Sequence, residues 1–223
     1  MNSVLQTAAP RFSLTEAQAI ARKHYGIEAE ARLLTSERDQ NFHLHTSTGA
    51  EFVLKIANAS EVEAVIAFQN EVMRHLQSFD PTLPAPHVIP ARDDALHFLQ
   101  RGHITRLLTF RAGRLMHQVE RTSLLRSSLG RAHARLVKAL AAFAGEAPPG
   151  DLLWDLLHAQ QLRQFLKHVD AAKRAAVEAA LDCFETTALP WLQRAPAQVI
   201  HNDLNPHNVV VDERGEVGGV IDF

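Results

Sequence analysis

The hydrophobic period changes twice along this chain, and that change constrains the fold more than any other feature. Gln40-Asn-Phe-His-Leu-His45 and Glu51-Phe-Val-Leu-Lys-Ile56 alternate apolar and polar residues, with Thr48-Gly49 between them. A period of two with a turn dipeptide between the runs reads as a β-hairpin. On either side stand helix starts of the capping-box type, Ser13-Leu-Thr-Glu16 and Ser60-Glu-Val-Glu63. The first predicts a helix closing near Gly26 and the second a helix running to about Gln77. Asp80 to Pro86 holds three prolines and must be a loop, followed by strand signals at His87–Ile89 and His97–Thr109. Beyond a connector near Leu107–Gly113 the pattern becomes helical, over Thr122–Phe143, Leu152–Val169 and Ala171–Leu189, with Pro190 expected to stop the last helix. Strand signals return from Val199. The layout is therefore α+β, with an antiparallel sheet and one long helix over residues 1–108 and a mostly helical part over 109–223. A cleft between two such lobes favours a ligand.

Composition narrows the function classes. A formal net charge of −2 offers no general attraction for nucleic acid or an anionic membrane surface. No apolar run approaches the roughly 18 residues of a membrane span, and no basic-then-apolar segment opens the chain, which reads as cytoplasmic. The single cysteine, Cys183, excludes an internal disulfide and reads as a buried helix residue. Trp154 and Trp191 read as packing anchors.

Chemistry concentrates in Val199-Ile-His-Asn-Asp-Leu-Asn-Pro-His-Asn-Val-Val-Val211 and the Ile221-Asp-Phe223 that follows. Val209–Val211 and Glu216–Ile221 read as two strands joined by the turn Asp212-Glu-Arg-Gly215. Paired antiparallel, they bring Asn208, at the start of the first, beside Asp222, at the end of the second. An amide oxygen and a carboxylate with room for phosphate oxygens suit Mg²⁺. Asp203, five residues before Asn208 on a loop containing Pro206, is placed to contact a substrate hydroxyl rather than the metal. His201 reads as a structural residue bonding loop backbone. His207 has no second His or Cys at zinc spacing and reads as a loop residue.

The pattern His201-x-Asp203-x₄-Asn208 followed by Asp222-Phe223 is similar to the catalytic loop and metal-binding segment of kinases. His201-Asn-Asp203 resembles the aminoglycoside phosphotransferase/choline kinase branch of the protein-kinase-like fold. Asp39-Gln-Asn-Phe42 and the Ile221-Asp-Phe223 ending most resemble hydroxylysine kinase-like proteins and the kinase-like domains fused ahead of class III aminotransferases. The resemblance implies a two-lobe fold and Mg²⁺-dependent transfer of the γ-phosphate of ATP or GTP to a hydroxyl of a small amine or amino acid. It implies a nucleotide-contacting Lys55, paired by Glu71 sixteen residues later, and a base lying against Leu107–Arg111. Lys55 shares a strand face with Val53, opposite Phe52, Leu54 and Ile56. The family's phosphate loop falls on Thr35–Asn41, which has no glycine; its backbone amides and the Ser36 hydroxyl are left for phosphate. Neither the P-loop nor the dinucleotide glycine signature occurs. Complete kinases of this type continue past Asp-Phe, so the chain reads as a fragment with weak activity of its own. The alternative is a non-catalytic nucleotide-binding or interaction domain of a larger fusion protein.

Overall fold

The computed structural model describes residues 7–148 and 155–223. The chain forms two compact units, Met1–Ala147 together with Val199–Phe223, and Pro148–Gln198.

The first unit is built on an antiparallel sheet of six strands, β1 (Ala29–Leu34), β2 (Gln40–Thr46), β3 (Glu51–Ile56), β4 (Val88–Ile89), β5 (Phe98–Gln100) and β6 (His103–Thr109). Their order is β1-β2-β3-β6-β4, with β5 also on β6. The predicted β2–β3 hairpin is present in the register Phe42↔Leu54, Asn41↔Lys55. The His97–Thr109 run is a second hairpin, because Arg101 (φ 52°) and Gly102 (φ 80°) make a two-residue turn of the left-handed kind that matches strand twist. β1 completes the edge.

The sheet buries both faces, and the period-two rule shows which residue goes where. Phe42, Leu44, Leu54 and Ile56 pack with Phe12, Ala17 and Ile20 of the first helix region. Val53, on the opposite face, packs with Met73, Val88, Leu108 and Phe223. Helix α1 (Leu14–Ile20) starts on the expected capping box: Ser13 Oγ accepts from Glu16 N and the Glu16 carboxylate accepts from Ser13 N. A π turn over Ala21–Tyr25 and Gly26 at φ 71° close it. Ser13→Ala removes one of these two reciprocal bonds and is expected to cost about 1 kcal/mol of stability in a denaturant titration.

Helix α2 (Glu63–Phe79) departs from expectation at its start. Its N-cap is Val62, with no side-chain cap, and the Ser60 hydroxyl donates to Asn58 Oδ1 instead. Asn58 is 1% exposed and collects the main-chain oxygens of Thr7, Ala8 and Arg38 on its amide, so a buried loop polar group has taken the serine from the helix. Helix α3 (Ser123–Ala141) begins as expected, with Thr122 Oγ1 accepting from Leu125 N.

A three-stranded sheet, β7 (Arg114–Leu115), β8 (Val209–Val211) and β9 (Val217–Val220), completes this unit. The Asp212 carboxylate accepts from Arg214 N and Glu216 N, which builds the predicted turn. Gly113, φ 142°, lies where a Cβ would stand 2.3 Å from the Val211 carbonyl oxygen, so β7 can approach β8 only with glycine there. The strand signal at Val199 does not become a strand; β8 begins at Val209.

The second unit holds 3₁₀ turns over Leu156–His168, α4 (Ala171–Cys183), a π turn over Phe184–Ala188 and α5 (Leu189–Leu192). The expected start of the first of these helices, and Trp154, lie outside the described residues. Pro190 does not end the helical run, because it sits in the first turn of α5, where its missing N–H costs little. Two further expectations are corrected here: Cys183 and Trp191 are exposed, Trp191 at 64%, so neither is a core residue. The α4 pattern is alanine-rich with a single buried position, Leu181, too narrow a stripe to bury a cysteine on another side of the helix.

Candidate active site

The candidate site lies wholly within the first unit. The register Val209↔Val220 extends by one step through a hydrogen bond from Ile221 N to the Asn208 carbonyl at 2.9 Å. This sets Asn208 beside Asp222 at one end of the hairpin, as the strand pairing requires. Asp222 adopts φ 69°, a left-handed conformation uncommon for a side-chain-bearing residue and a mark of functional turns. Asn202, φ 65°, turns the loop on the other side in the same way.

Asp203 and Asn208 are joined directly. Asn208 Nδ2 donates to Asp203 Oδ2 at 2.9 Å and to the Asp203 carbonyl at 3.0 Å. Asn205 Nδ2 donates to the other carboxylate oxygen at 2.7 Å. Each Asp203 oxygen thus has one amide donor and a second lone pair left over for a hydroxyl. Spending its amide hydrogens on Asp203 leaves the Asn208 Oδ1 without a donor among the described residues. That oxygen and the Asp222 carboxylate form a pair of hard oxygen donors, the donor set suited to Mg²⁺.

Lys55 Nζ bonds Asp222 Oδ1 at 2.7 Å, across 167 positions of sequence. The ammonium end is drawn in, with the Lys55 side chain 12% exposed and that of Asp222 56% exposed. The Lys55 charge holds the Asp222 carboxyl below its ordinary range, against the opposing effect of burial, with Arg106 and His201 assisting.

The Lys55–Glu71 ion pair implied by the resemblance is not made. The buried face of α2 carries Ile66, Asn70, Val72, Met73 and Leu76, and Glu71 lies on the opposite side of the helix by its 3.6-residue period. Glu71 falls off that stripe and is exposed, with no ion pair among the described residues. Ser36 is exposed in the loop joining β1 to β2, at the end of the sheet where Lys55 lies, and makes no hydrogen bond to the other site residues among the described residues. At the connector, Phe110 stacks on His43 with centroids 4.1 Å apart.

His201 has the structural role expected of it. Its Nε2 donates to the Ile221 carbonyl at 3.0 Å and its Nδ1 accepts from Asp203 N at 3.3 Å, a pattern that needs the neutral ring. Burial pushes its pKa below 6.5, and does the same to His24 and His87. The folded state binds these three protons less readily than the unfolded chain. The stability they carry is therefore fully present above about pH 6.5 and is lost as pH falls through their lower folded values. Melting temperature is expected to drop on acidification below pH 6.5, and less steeply in His201→Asn; a flat profile from pH 7 to 5 would contradict this.

Sequence reasoning passed over Arg106. It lies on β6 directly opposite Lys55, is 3% exposed, and donates to Asn70 Oδ1 at 2.8 Å, Gln69 Oε1 at 2.7 Å and the Phe223 main-chain oxygen at 3.3 Å. The signal that marks Lys55, a lone charge inside an apolar strand, also occurs in Ile104-Thr-Arg-Leu-Leu108.

Among the described residues no helix is long and apolar enough to cross a membrane. Residues 30–223 match the phosphotransferase enzyme family APH. Hydroxylysine kinase of Danio rerio is 27% identical over 96% of this chain and 65% of its own length, and that of Mus musculus 28% identical over 97% and 65%. The chain thus spans 65% of the length of these curated relatives. Among solved structures, an amicoumacin kinase superposes with TM-score 0.70 at 12% identity, covering 95% of this chain and 64% of that one. A microcompartment-associated aminopropanol kinase gives 0.67 at 21%, covering 92% and 67%. These likenesses show the protein-kinase-like α+β fold. With seven-eighths of its length matched, the chain belongs to the APH phosphotransferase family.

Proposed function

We propose that this protein is a small-molecule kinase that transfers the γ-phosphate of ATP or GTP to a hydroxyl of a small hydroxylated amine or amino acid. The observation that carries the reading is two directly bonded pairs, Asp203 with Asn208 and Lys55 with Asp222, which the backbone bond from Ile221 N to the Asn208 carbonyl brings to one end of the β8–β9 hairpin, Lys55 coming from far earlier in the sequence. Family membership and relatives described as hydroxylysine kinases support it and favour an amino-alcohol acceptor.

In this reading Asp203 accepts a hydrogen bond from the substrate hydroxyl, orients its oxygen for in-line attack and takes its proton. Asn208 Oδ1 and Asp222 would hold Mg²⁺, which when bound neutralises charge on the β- and γ-phosphates. Lys55 carries positive charge to the α- and β-phosphates, and the loop carrying Ser36 offers amides and a hydroxyl. Residues 1–108 act as the nucleotide lobe and 109–223 supply the catalytic loop and metal hairpin. The base lies against Leu107–Arg111, and the protein works in the cytoplasm.

The test is phosphoryl transfer from Mg·ATP and Mg·GTP to a panel of amino alcohols that includes hydroxylysine, alongside the shift in melting temperature that each nucleotide gives with and without Mg²⁺. A Mg²⁺-dependent shift with transfer to one or more acceptors is expected. No shift with either nucleotide would sink the reading.

A further inference from the structure

A buried guanidinium needs an explanation, because removing such a charge from water is costly unless its hydrogen bonds are replaced. Arg106 replaces those of its two terminal nitrogens by a specific geometry, while its Nε stays buried without a partner. Its two terminal nitrogens reach the side-chain oxygens of consecutive residues on one helix, Gln69 and Asn70 of α2. The Asn70 amide is held the other way by contacts of its Nδ2 to the Leu96 carbonyl and His97 Nδ1, both at 3.4 Å, so its oxygen faces Arg106. The same guanidinium reaches the Phe223 main-chain oxygen, one residue beyond Asp222. Asn41, Lys55 and Arg106 form a lateral row across β2, β3 and β6. Burial lowers the Arg106 pKa to about 10, so it stays charged at neutral pH, with Asp39, Asp222 and Glu61 favouring that charge.

These contacts tie three things together: the sheet beside Lys55, helix α2, and the backbone that carries Asp222. The ion pair from α2 to Lys55 that would otherwise do this is absent: Glu71 is exposed and Lys55 pairs with Asp222. We propose that Arg106 is a positioning residue, which through Gln69, Asn70 and the Phe223 carbonyl holds Asp222 and Lys55 in register for a metal-bound nucleotide. The proposal rests on the phosphotransferase reading. It calls for arginine: only a planar fork spans two adjacent acceptors and a third oxygen, and an ammonium does not.

The experiment measures Mg·ATP and Mg·GTP affinity by calorimetry, well below the melting temperature, for the wild-type chain and for Arg106→Met, Arg106→Lys, Gln69→Ala and Glu71→Gln. Arg106→Met and Arg106→Lys are each expected to weaken Mg·nucleotide binding by about 10-fold or more, as loss of a metal site's outer support does. Affinity measured in excess chelator should fall less. A purely structural role would lower the melting temperature while leaving the affinity of the folded protein intact, and that result overturns the proposal. Full recovery in Arg106→Lys overturns it too, as does a loss in Glu71→Gln with none in the Arg106 variants. If Arg106→Met does not fold, Gln69→Ala decides: it removes one acceptor at a half-buried position, should weaken binding about threefold or more, and an unchanged affinity refutes the tie. Wild-type protein that binds neither nucleotide ends the phosphotransferase reading itself, and this inference with it.

Discussion

Asp203→Asn is expected to lower phosphoryl transfer by about 10²- to 10⁴-fold, the range of a positioned general base, while Mg·nucleotide affinity stays within about threefold of wild type. The split follows from the loop's hydrogen bonds. Asparagine keeps the shape of the side chain, and the loop backbone holds itself through Asn205 N to the Asp203 carbonyl and Asn208 N to the Asn205 carbonyl. Asn208 also keeps its bond to the residue 203 carbonyl, so its free oxygen stays where it is. What changes is the carboxylate. Its two oxygens accept from Asn205 and Asn208, and an amide can satisfy only one of those donors while offering no base for the hydroxyl proton. Asp203→Ala removes both acceptors and releases Asn208 on one side, so it should lose nucleotide affinity as well as rate. Rates and affinities measured together for the two variants separate these effects. Transfer by Asp203→Asn at the wild-type rate would remove Asp203 from the chemistry.

How much of this site could be read from sequence depended on distance along the chain. Asn208 and Asp222 were legible because two apolar runs joined by a turn with Asp212 and Gly215 bring the hairpin's two ends together. The register was not, since Val210 pairs Gly219 and Val211 pairs Val217, and this one-residue bulge at Gly218 is what sets Asn208 against Ile221. Lys55 was legible as a charge alternating against Phe52, Leu54 and Ile56, which do pack on the other side of the sheet. Glu71 was assigned by resemblance in spacing, and the helical period of its own segment argues against it. Ile66, Asn70, Val72, Met73 and Leu76 make the buried stripe, with a polar Asn70 among them. A buried asparagine on an apolar stripe demands a partner, and Arg106 is that partner. Finding it required knowing that β6 lies next to β3, which no local pattern states.

Helix ends show a similar limit. Ser13 and Ser60 carry the same capping-box pattern, yet only Ser13 caps. Ser60 is claimed by Asn58, whose amide is fixed by main-chain oxygens of residues about 20 and 50 positions away. A local hydrogen bond of about 1 kcal/mol yields to a buried group that would otherwise lose its own. In the second unit, Pro190 shows that a residue able to end one helix also opens another, and the π turn before it supplies the break.

Lys55→Met is expected to reduce the efficiency of phosphoryl transfer by about 10²-fold, the scale of removing one charge-stabilising donor from such a site, and to change how stability responds to acid. The methionine stem fills the same space between Asn41 and Arg106, so packing is retained and the charge alone is lost. In the wild-type protein the Lys55 ammonium keeps the Asp222 carboxyl below its ordinary value of 3.8. That pairing adds stability above the unfolded pKa, and the contribution disappears as pH falls through the lower folded value. Solvent at the half-exposed carboxylate screens the effect. The variant should therefore be less stable than wild type at pH 7, and the difference should shrink as pH falls below about 4. Lys55→Arg should not restore transfer, since the fork of a guanidinium does not place a single point charge where the ammonium stands. Chemical-shift titration of the Asp222 carboxyl provides the direct reading: its midpoint should move up in Lys55→Met, and an unmoved midpoint would mean that Lys55 does not control the Asp222 carboxylate.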